Sequence, residues 1–326
     1  MRIAVTSQDT FSDFFFDDEP WSSFANAIYL HGHEIVNWKE KPDVVIFNNF
    51  SKRIFRRISP DVPASKRFLI VWEPPCNAPR NFNGKNRTRF AKVLFPSPIW
   101  AENFGGESFP WPQETQIPKN GIPWLNRTDK FCLIQANRWR ISRSDKYTLR
   151  RQLLSECPEQ IDLFGRNWNQ GVVADSVRLI KSIPDSILEK SFSVKSMYGI
   201  GANYPNFKGT PISKIDVLHD YRFSLVIENS NEYVSEKLVD AILAGTIPLY
   251  VGADLSKFGF SEKIAKVCLP NVLDIKRAMR DLQNDQELQK LILRSGQEFL
   301  HSKFFNSLNN RAVLANLAKE VCGYIS

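Results

Sequence analysis

The run from Tyr221 to Gly252, YRFSLVIENSNEYVSEKLVDAILAGTIPLYVG, limits what this chain can fold into more than any other stretch. Tyr221 to Ile227 is short and almost wholly apolar, which predicts a strand covered on both faces. Asn229 to Ser235 is polar and turn-prone. Ser235 is placed to cap a helix, with Glu236 in the first turn and Leu238, Ile242 and Leu243 on one apolar face. Gly245 stops that helix, and Ile247 to Val251 is a second apolar strand. Strand, polar loop, helix, strand is the unit of a parallel α/β sheet. In such sheets ligands sit beyond the carboxyl ends of strands and beside helix N-termini. Glu228, Asn229, Tyr233, Glu236 and Lys237 all fall at that position. A cation there suits a phosphate, and carboxylates suit sugar hydroxyls.

The rest of the chain alternates in the same manner. Strands are expected at Ile3–Thr6, Glu34–Asn37, Val44–Phe47, Phe68–Trp72 and Val93–Phe95, with helices over Trp21–His31 and Ser51–Ile58. An acidic, Phe-rich loop, Asp9 to Asp18, lies among them. Proline at 110, 112, 118 and 123 marks an interdomain linker. Beyond it come strands at Phe131–Gln135 and Ile161–Phe164, and an amphipathic basic helix over Asp145–Ser155. A helix over Ile212–Leu218 leads into the 221–252 unit. After that unit a strand at Ala265–Leu269 precedes helices over Val272–Asp281, Asp285–His301 and Arg311–Cys322. Gly199 to Gly209 reads as loop. A length of 326 residues accommodates two α/β domains of ordinary size. The expected architecture is two Rossmann-like domains facing across a cleft. Residues 1–123 form the first and 124–305 the second, with a terminal helix in 306–326 that can pack back on the first.

Ile227-Glu228-Asn229, then Tyr233-Val234-Ser235-Glu236-Lys237, then Ala244-Gly245 and Ile247-Pro248 stand in an order and spacing that resembles the signature of the family 10 fucosyltransferases, the α-1,3/1,4-fucosyltransferases. The resemblance implies the GT-B fold, with an acceptor-binding N-terminal domain and a donor-binding C-terminal domain. It implies inverting transfer of L-fucose from GDP-β-L-fucose to a hydroxyl of an N-acetylglucosamine- or galactose-containing glycan, in α-1,3 linkage, as in lipopolysaccharide O-antigen synthesis. A transferase of the same fold using another nucleotide sugar is the alternative, and a non-catalytic glycan- or nucleotide-binding protein a second.

Such a transfer needs a base for the acceptor hydroxyl and positive charge for the departing diphosphate. Glu73 closes a buried strand just before Pro74 and Pro75, which prevent its continuation and aim the carboxylate into the cleft; a turn-capping acid is the plainer reading. The resemblance assigns the base to that position. It assigns Glu236 to the fucose or its developing charge, where a first-turn helix acid is otherwise unremarkable. It gives Lys237 the donor phosphates, Asn229, Tyr233 and Ser235 places along the donor, and Glu228 a ribose or sugar hydroxyl. Tyr233 is otherwise a packing ring, and Glu228 a member of a buried network. The family's second phosphate cation maps by spacing onto Lys146, with Arg143 or Arg138 as substitutes. Asn137, Gly165 and Arg166, at strand ends, complete the donor-binding set or form tight surface turns.

The formal charge of +8 suits an anionic nucleotide-sugar or an acidic membrane surface, whereas no dense basic–aromatic module points to nucleic acid. The Lys52–Arg57 cluster reads as a solvated helix face, with a membrane patch as the lesser alternative. The five cysteines are odd in number and contain no CxxC, which argues for free thiols and against a zinc site. His31 and His33 match no metal motif, and neither a P-loop nor GxSxG occurs. No metal and no cofactor are expected. Without a signal-like or membrane-spanning run, a cytoplasmic bacterial or viral-type protein is expected, able to sit at the inner face of the membrane.

Overall fold

A computed structural model describes residues 1–6, 20–118, 122–137, 146–168 and 204–325. The Asp9–Asp18 loop, Arg138, Arg143, the start of the expected basic helix and residues 199–203 of the expected Gly199–Gly209 loop lie outside the described residues; the end of that loop, Phe207–Gly209, is instead an edge strand paired with Ile161–Phe164.

The apolar runs form strands β1 (Arg2–Thr6), β2 (Glu34–Ile35), β3 (Val44–Asn48), β4 (Arg67–Ile70), β5 (Lys92–Phe95) and β6 (Glu107–Ser108). They make one parallel sheet in the order β2-β1-β3-β4-β5-β6. A second parallel sheet contains β7 (Thr128–Ile134), β8 (Ile161–Phe164), β9 (Phe207–Gly209), β10 (Tyr221–Ile227), β11 (Ile247–Val251) and β12 (Lys266–Val267). Its order is β12-β11-β10-β7-β8-β9. Register is set in the expected unit by Phe223 opposite Ile247 and Ile227 opposite Val251.

Successive strand residues point to opposite faces, and both faces are apolar, so each sheet is covered on both sides. Val44 and Ile46 pack with Phe24 and Ile28 of the Trp21–Leu30 helix; Val45 and Phe47 pack with Ile54 and Ile58 of the Lys52–Ile58 helix. The terminal helix, Asn310–Ile325, lies on the first of these faces through Val313, Leu314, Leu317, Val321 and Cys322. Lys92 pairs with Glu320 at 3.2 Å beneath it. Lys52, Arg53, Arg56 and Arg57 are exposed.

β4 and the basic helix depart from expectation through contacts made by distant parts of the chain. β4 stops at Ile70, before Trp72, because the Asn49 side chain takes over from the ladder: its Oδ1 accepts from the amides of Trp72 (2.8 Å) and Glu73 (3.2 Å). The basic helix runs Tyr147–Glu156, and Arg150 and Arg151 on it are buried (1% and 4% exposed) instead of forming a solvated basic face.

Each sheet reverses its winding direction once near its centre. In the first the chain moves from β1 out to β2 and returns on the other side at β3; in the second it moves from β7 outward and returns at β10. A crevice opens at such points beyond the carboxyl ends of the strands.

Candidate active site

At the first crevice β3 ends in Asn48-Asn49. Asn49 has φ of 62°, a left-handed conformation that asparagine adopts more readily than most side chains. This turns its carboxamide towards the Trp72 and Glu73 amides and towards Asn81, whose Nδ2 donates to Asn49 Oδ1 at 2.8 Å. Trp72 Nε1 donates to Asn48 Oδ1 at 3.1 Å. Pro74 then starts a turn in which Asn77 N donates to Pro74 O (2.9 Å), folding Asn77 back so that its Nδ2 donates to Glu73 Oε2 at 2.7 Å. Glu73 is half-buried and oriented by neutral groups.

The second crevice is charged. Glu228 follows β10 and has no exposed surface. Its carboxylate accepts from Ser235 N (2.8 Å) and Ser235 Oγ (2.8 Å), and Lys237 Nζ lies 3.6 Å away. Ser235 caps the Glu236–Leu243 helix, and its Oγ accepts from Lys237 Nζ at 2.8 Å. Burial alone would lower the Lys237 pKa, but Glu236 and Glu228 outweigh it and hold the ammonium above its usual value. Glu236 is opposed by burial, yet Lys237 and Lys214, the latter at 2.9 Å, bring its pKa down to about 2, so it is ionised at any physiological pH. Asp240, one turn on, is pushed up to about 6, chiefly by burial, against the pull of Lys214.

Lys146 stands at the cap of the Tyr147–Glu156 helix and is 5% exposed. Its Nζ has no hydrogen-bond partner among the described residues. Burial lowers its pKa to about 8; Glu228 pulls the other way, and Arg150 adds to the lowering. Arg150, four residues on and thus on the same helix face, donates to Ile227 O at the end of β10 and to Asn229 Oδ1 at 2.8 Å.

The two crevices meet. Cys76 Sγ lies 3.9 Å from Asn229 O, and Tyr147 OH is 3.5 Å from Asn77 Oδ1, the residue that holds Glu73. The structure therefore brings Glu73, Lys146, Asn229 and the Glu236–Lys237 pair to one junction. Three signature side chains serve here as supports. Glu228 and Ser235 are closed from solvent and spent on each other and on Lys237, and Tyr233 is 2% exposed with its ring stacked on Trp100 of the first lobe (5.3 Å between centroids). Asn137 is occupied in joining strand ends: its amide donates to Arg166 O (2.9 Å), and its Oδ1 accepts from Arg151 (3.3 Å). Gly165 is required by close approach, since a Cβ there would stand 1.9 Å from Gln135 O. The Arg166 side chain is exposed.

Arg150 is the residue that the sequence reading overlooked. The available signal was its spacing of four from Lys146 on one helix. Among the described residues no group of three or more His, Cys, Asp or Glu side chains gathers as a metal site, and no helix is long and apolar enough to cross a membrane.

No protein-family model matches the chain. A fucosyltransferase-like protein of Arabidopsis thaliana is 31% identical over 70 residues, which is 21% of this chain and 13% of that protein's length. Among solved structures, Anabaena Alr3699/HepE in complex with UDP and glucose superposes with a TM-score of 0.57 at 12% identity, over 99% of this chain and 100% of that one. An α-glucosyltransferase in complex with UDP and a DNA 13-mer gives 0.54 at 11% identity, over 99% and 100%. An α1,3-fucosyltransferase gives 0.51 at 13% identity, over 99% and 90%. The shared feature is the fold: α/β, GT-B type, with two Rossmann-like domains facing across a cleft.

Proposed function

We propose that the protein is an inverting glycosyltransferase that moves L-fucose from GDP-β-L-fucose to a saccharide hydroxyl, in α-1,3 linkage. The observation that carries the reading is the Lys146 ammonium, buried at the strand-end junction with no hydrogen-bond acceptor among the described residues. A buried cation without an acceptor is costly unless an anion completes it, and a diphosphate is the anion that a strand-end crevice accommodates. The GT-B fold and the fucosyltransferase-like relative support glycosyl transfer, and the Tyr233–Lys237 signature supports fucose.

In this reading the acceptor hydroxyl gives its proton to the Glu73 carboxylate while its oxygen forms a bond to the anomeric carbon of fucose. The bond from that carbon to the diphosphate breaks, and the electron pair leaves with GDP. Lys146, Arg150 and Lys237 balance the charge arriving on the phosphates, which is the task a chelated metal performs elsewhere. Glu236, fixed as a carboxylate by its two lysines, faces the positive charge that develops on the sugar. Glu228 and Ser235 act through Lys237 by holding it in place. The acceptor is a glycan containing N-acetylglucosamine or galactose. We place the protein in the cytoplasm, with the exposed Lys52–Arg57 cations available to an acidic membrane surface.

UDP in two of the superposed structures favours a second reading, in which the same machinery takes a UDP-sugar. A thermal-shift screen with GDP-fucose, UDP-glucose, and CMP- and dTDP-sugars separates them. Selective stabilisation by GDP-fucose, with slow GDP release when no acceptor is present, is the expected result. Stabilisation by UDP-glucose alone would move the donor assignment, and no stabilisation by any nucleotide would remove the transferase reading.

A further inference from the structure

We propose that the first lobe sets the position of the donor loop, residues 229–235, with Ser97 and Trp100 as positioning residues that act through Glu232 and Tyr233. The inference rests on the reading above that this loop and the helix it starts hold the donor.

The loop, Asn229-Ser230-Asn231-Glu232-Tyr233-Val234-Ser235, is mostly short polar residues between a strand and a helix. A polar loop of this kind keeps one conformation only if partners compensate the entropy of ordering it. Its first residue is tied within its own lobe, by Arg150 to Asn229 Oδ1 at 2.8 Å. Its middle is tied across the cleft. Ser97 Oγ donates to Glu232 O at 2.5 Å, and Trp100 Nε1 donates to Glu232 Oε2 at 3.1 Å. The adjoining ring of Tyr233 lies against Trp100 and is 5.6 Å from Trp111. Ser97 and Trp100 have no exposed surface, so neither partner is a loose surface contact.

Tyr233 also packs with the wrong lobe for its place in the chain. It belongs to the core cluster of Phe47, Leu69, Phe95 and Trp100, whereas its neighbour Val234 packs with Leu238 and Leu243 of the donor lobe. The chain thus crosses from one core to the other between adjacent residues. Ser235, which holds both Lys237 and Glu228, comes next. Any shift of Tyr233 is therefore passed within two residues to the cations of the donor site. The consequence is specific: residues of the acceptor-binding lobe control the donor's KM and leave the acceptor's KM alone.

Three variants test this. Trp100→Phe keeps a ring and removes the indole N–H, Glu232→Ala removes the acceptor of that hydrogen bond, and Glu232→Gln restores an acceptor oxygen. Trp100→Phe and Glu232→Ala should each weaken GDP binding and raise the donor KM about 5-fold, the effect of losing one hydrogen bond. Because both break the same bond, the double variant should do no worse than either alone. Glu232→Gln should restore the donor KM, and the acceptor KM should hold throughout. Amide hydrogen exchange over 229–235 should quicken in the first two variants and recover in the third.

Unchanged GDP affinity and unchanged exchange in Trp100→Phe and Glu232→Ala would overturn the proposal, as would a loss confined to the acceptor KM. Should Trp100→Phe fail to fold, the Glu232 pair carries the same comparison at a half-buried side chain. If the unaltered protein binds no nucleoside diphosphate, the donor reading falls. The exchange rates over 229–235 then decide the positioning claim alone, faster in Glu232→Ala and recovered in Glu232→Gln if it holds, unchanged if it does not.

Discussion

The two crevices that face each other are built from different chemistry. Around Glu73 the orienting groups are neutral amides, those of Asn49 and Asn77 with Asn48 and Asn81 behind them. Around Lys237 they are ions, Glu228, Glu236 and Lys214, with Lys146 and Arg150 beside them. The contrast matches what the proposed reaction asks of each side. A base must change charge during the reaction, and a frame of uncharged amides fixes its geometry while leaving its charge unopposed. A site for a diphosphate must present standing charge, and a standing buried charge needs counter-ions before the ligand arrives. Within the charged side the same rule separates two lysines, since Lys237 is paired in advance whereas Lys146 has no acceptor among the described residues.

The largest effect is expected where the neutral frame holds the reactive group. Glu73→Gln should cut the transfer rate by about 10²- to 10⁴-fold, the range for loss of a general base, with GDP affinity in calorimetry unchanged. Transfer at the normal rate would take the base role from Glu73.

The two lysines should then part company. Lys146→Met should weaken GDP binding by about 10- to 100-fold, as for loss of a charged hydrogen bond. It should leave the protein more heat-resistant, because a buried cation with no acceptor among the described residues has gone. The pH dependence follows in sign. The folded pKa of Lys146, about 8, lies below its ordinary 10.5, so between these values the unfolded chain holds more protons and stability rises with pH. That rise should vanish in Lys146→Met, and so should any decline in GDP affinity above about pH 8. A lower melting temperature for Lys146→Met would show that its charge is satisfied without ligand. Lys237→Ala should do the reverse to stability, costing about 3 kcal/mol, because the fully buried Glu228 carboxylate loses its ion-pair partner. Denaturant titration reads this difference directly.

Asn49→Ala tests the neutral frame. Three donors lose their shared acceptor, so about 2 kcal/mol of stability should go and the transfer rate should fall with Glu73 less well held. The smallest effect is expected at the exposed cations. Replacing Arg53, Arg56 and Arg57 by serine should change stability by about 0.5 kcal/mol for each substitution, while reducing any salt-sensitive adsorption to anionic vesicles.

Much of this could be read from the chain. The strands Tyr221–Ile227, Ile247–Val251 and Ile161–Phe164 have the bounds that their apolar runs predicted, because short runs bounded by polar or glycine residues leave little choice of ends. The Ser235 cap and the Glu236–Leu243 helix likewise follow from local spacing. Arg150 could not be separated from an ordinary surface arginine, since its burial arises from where the Tyr147–Glu156 helix docks against the end of β10. The Asn49 carboxamide, which ends β4 early, acts across more than twenty residues of chain, beyond the reach of any local pattern.

Periodicity and turn chemistry, which act within a few residues, were sufficient to define parallel α/β units and to put the charged residues of 228–237 at a strand end. Tertiary packing alone decided which of those residues point outward and which hold their neighbours. It buried Glu228 beneath Lys237, drew Tyr233 into the opposite lobe's core and left Lys146 without an acceptor among the described residues. Desolvation and hydrogen-bond pairing depend on what arrives from distant parts of the chain, and those distances are set only when the two sheets come together.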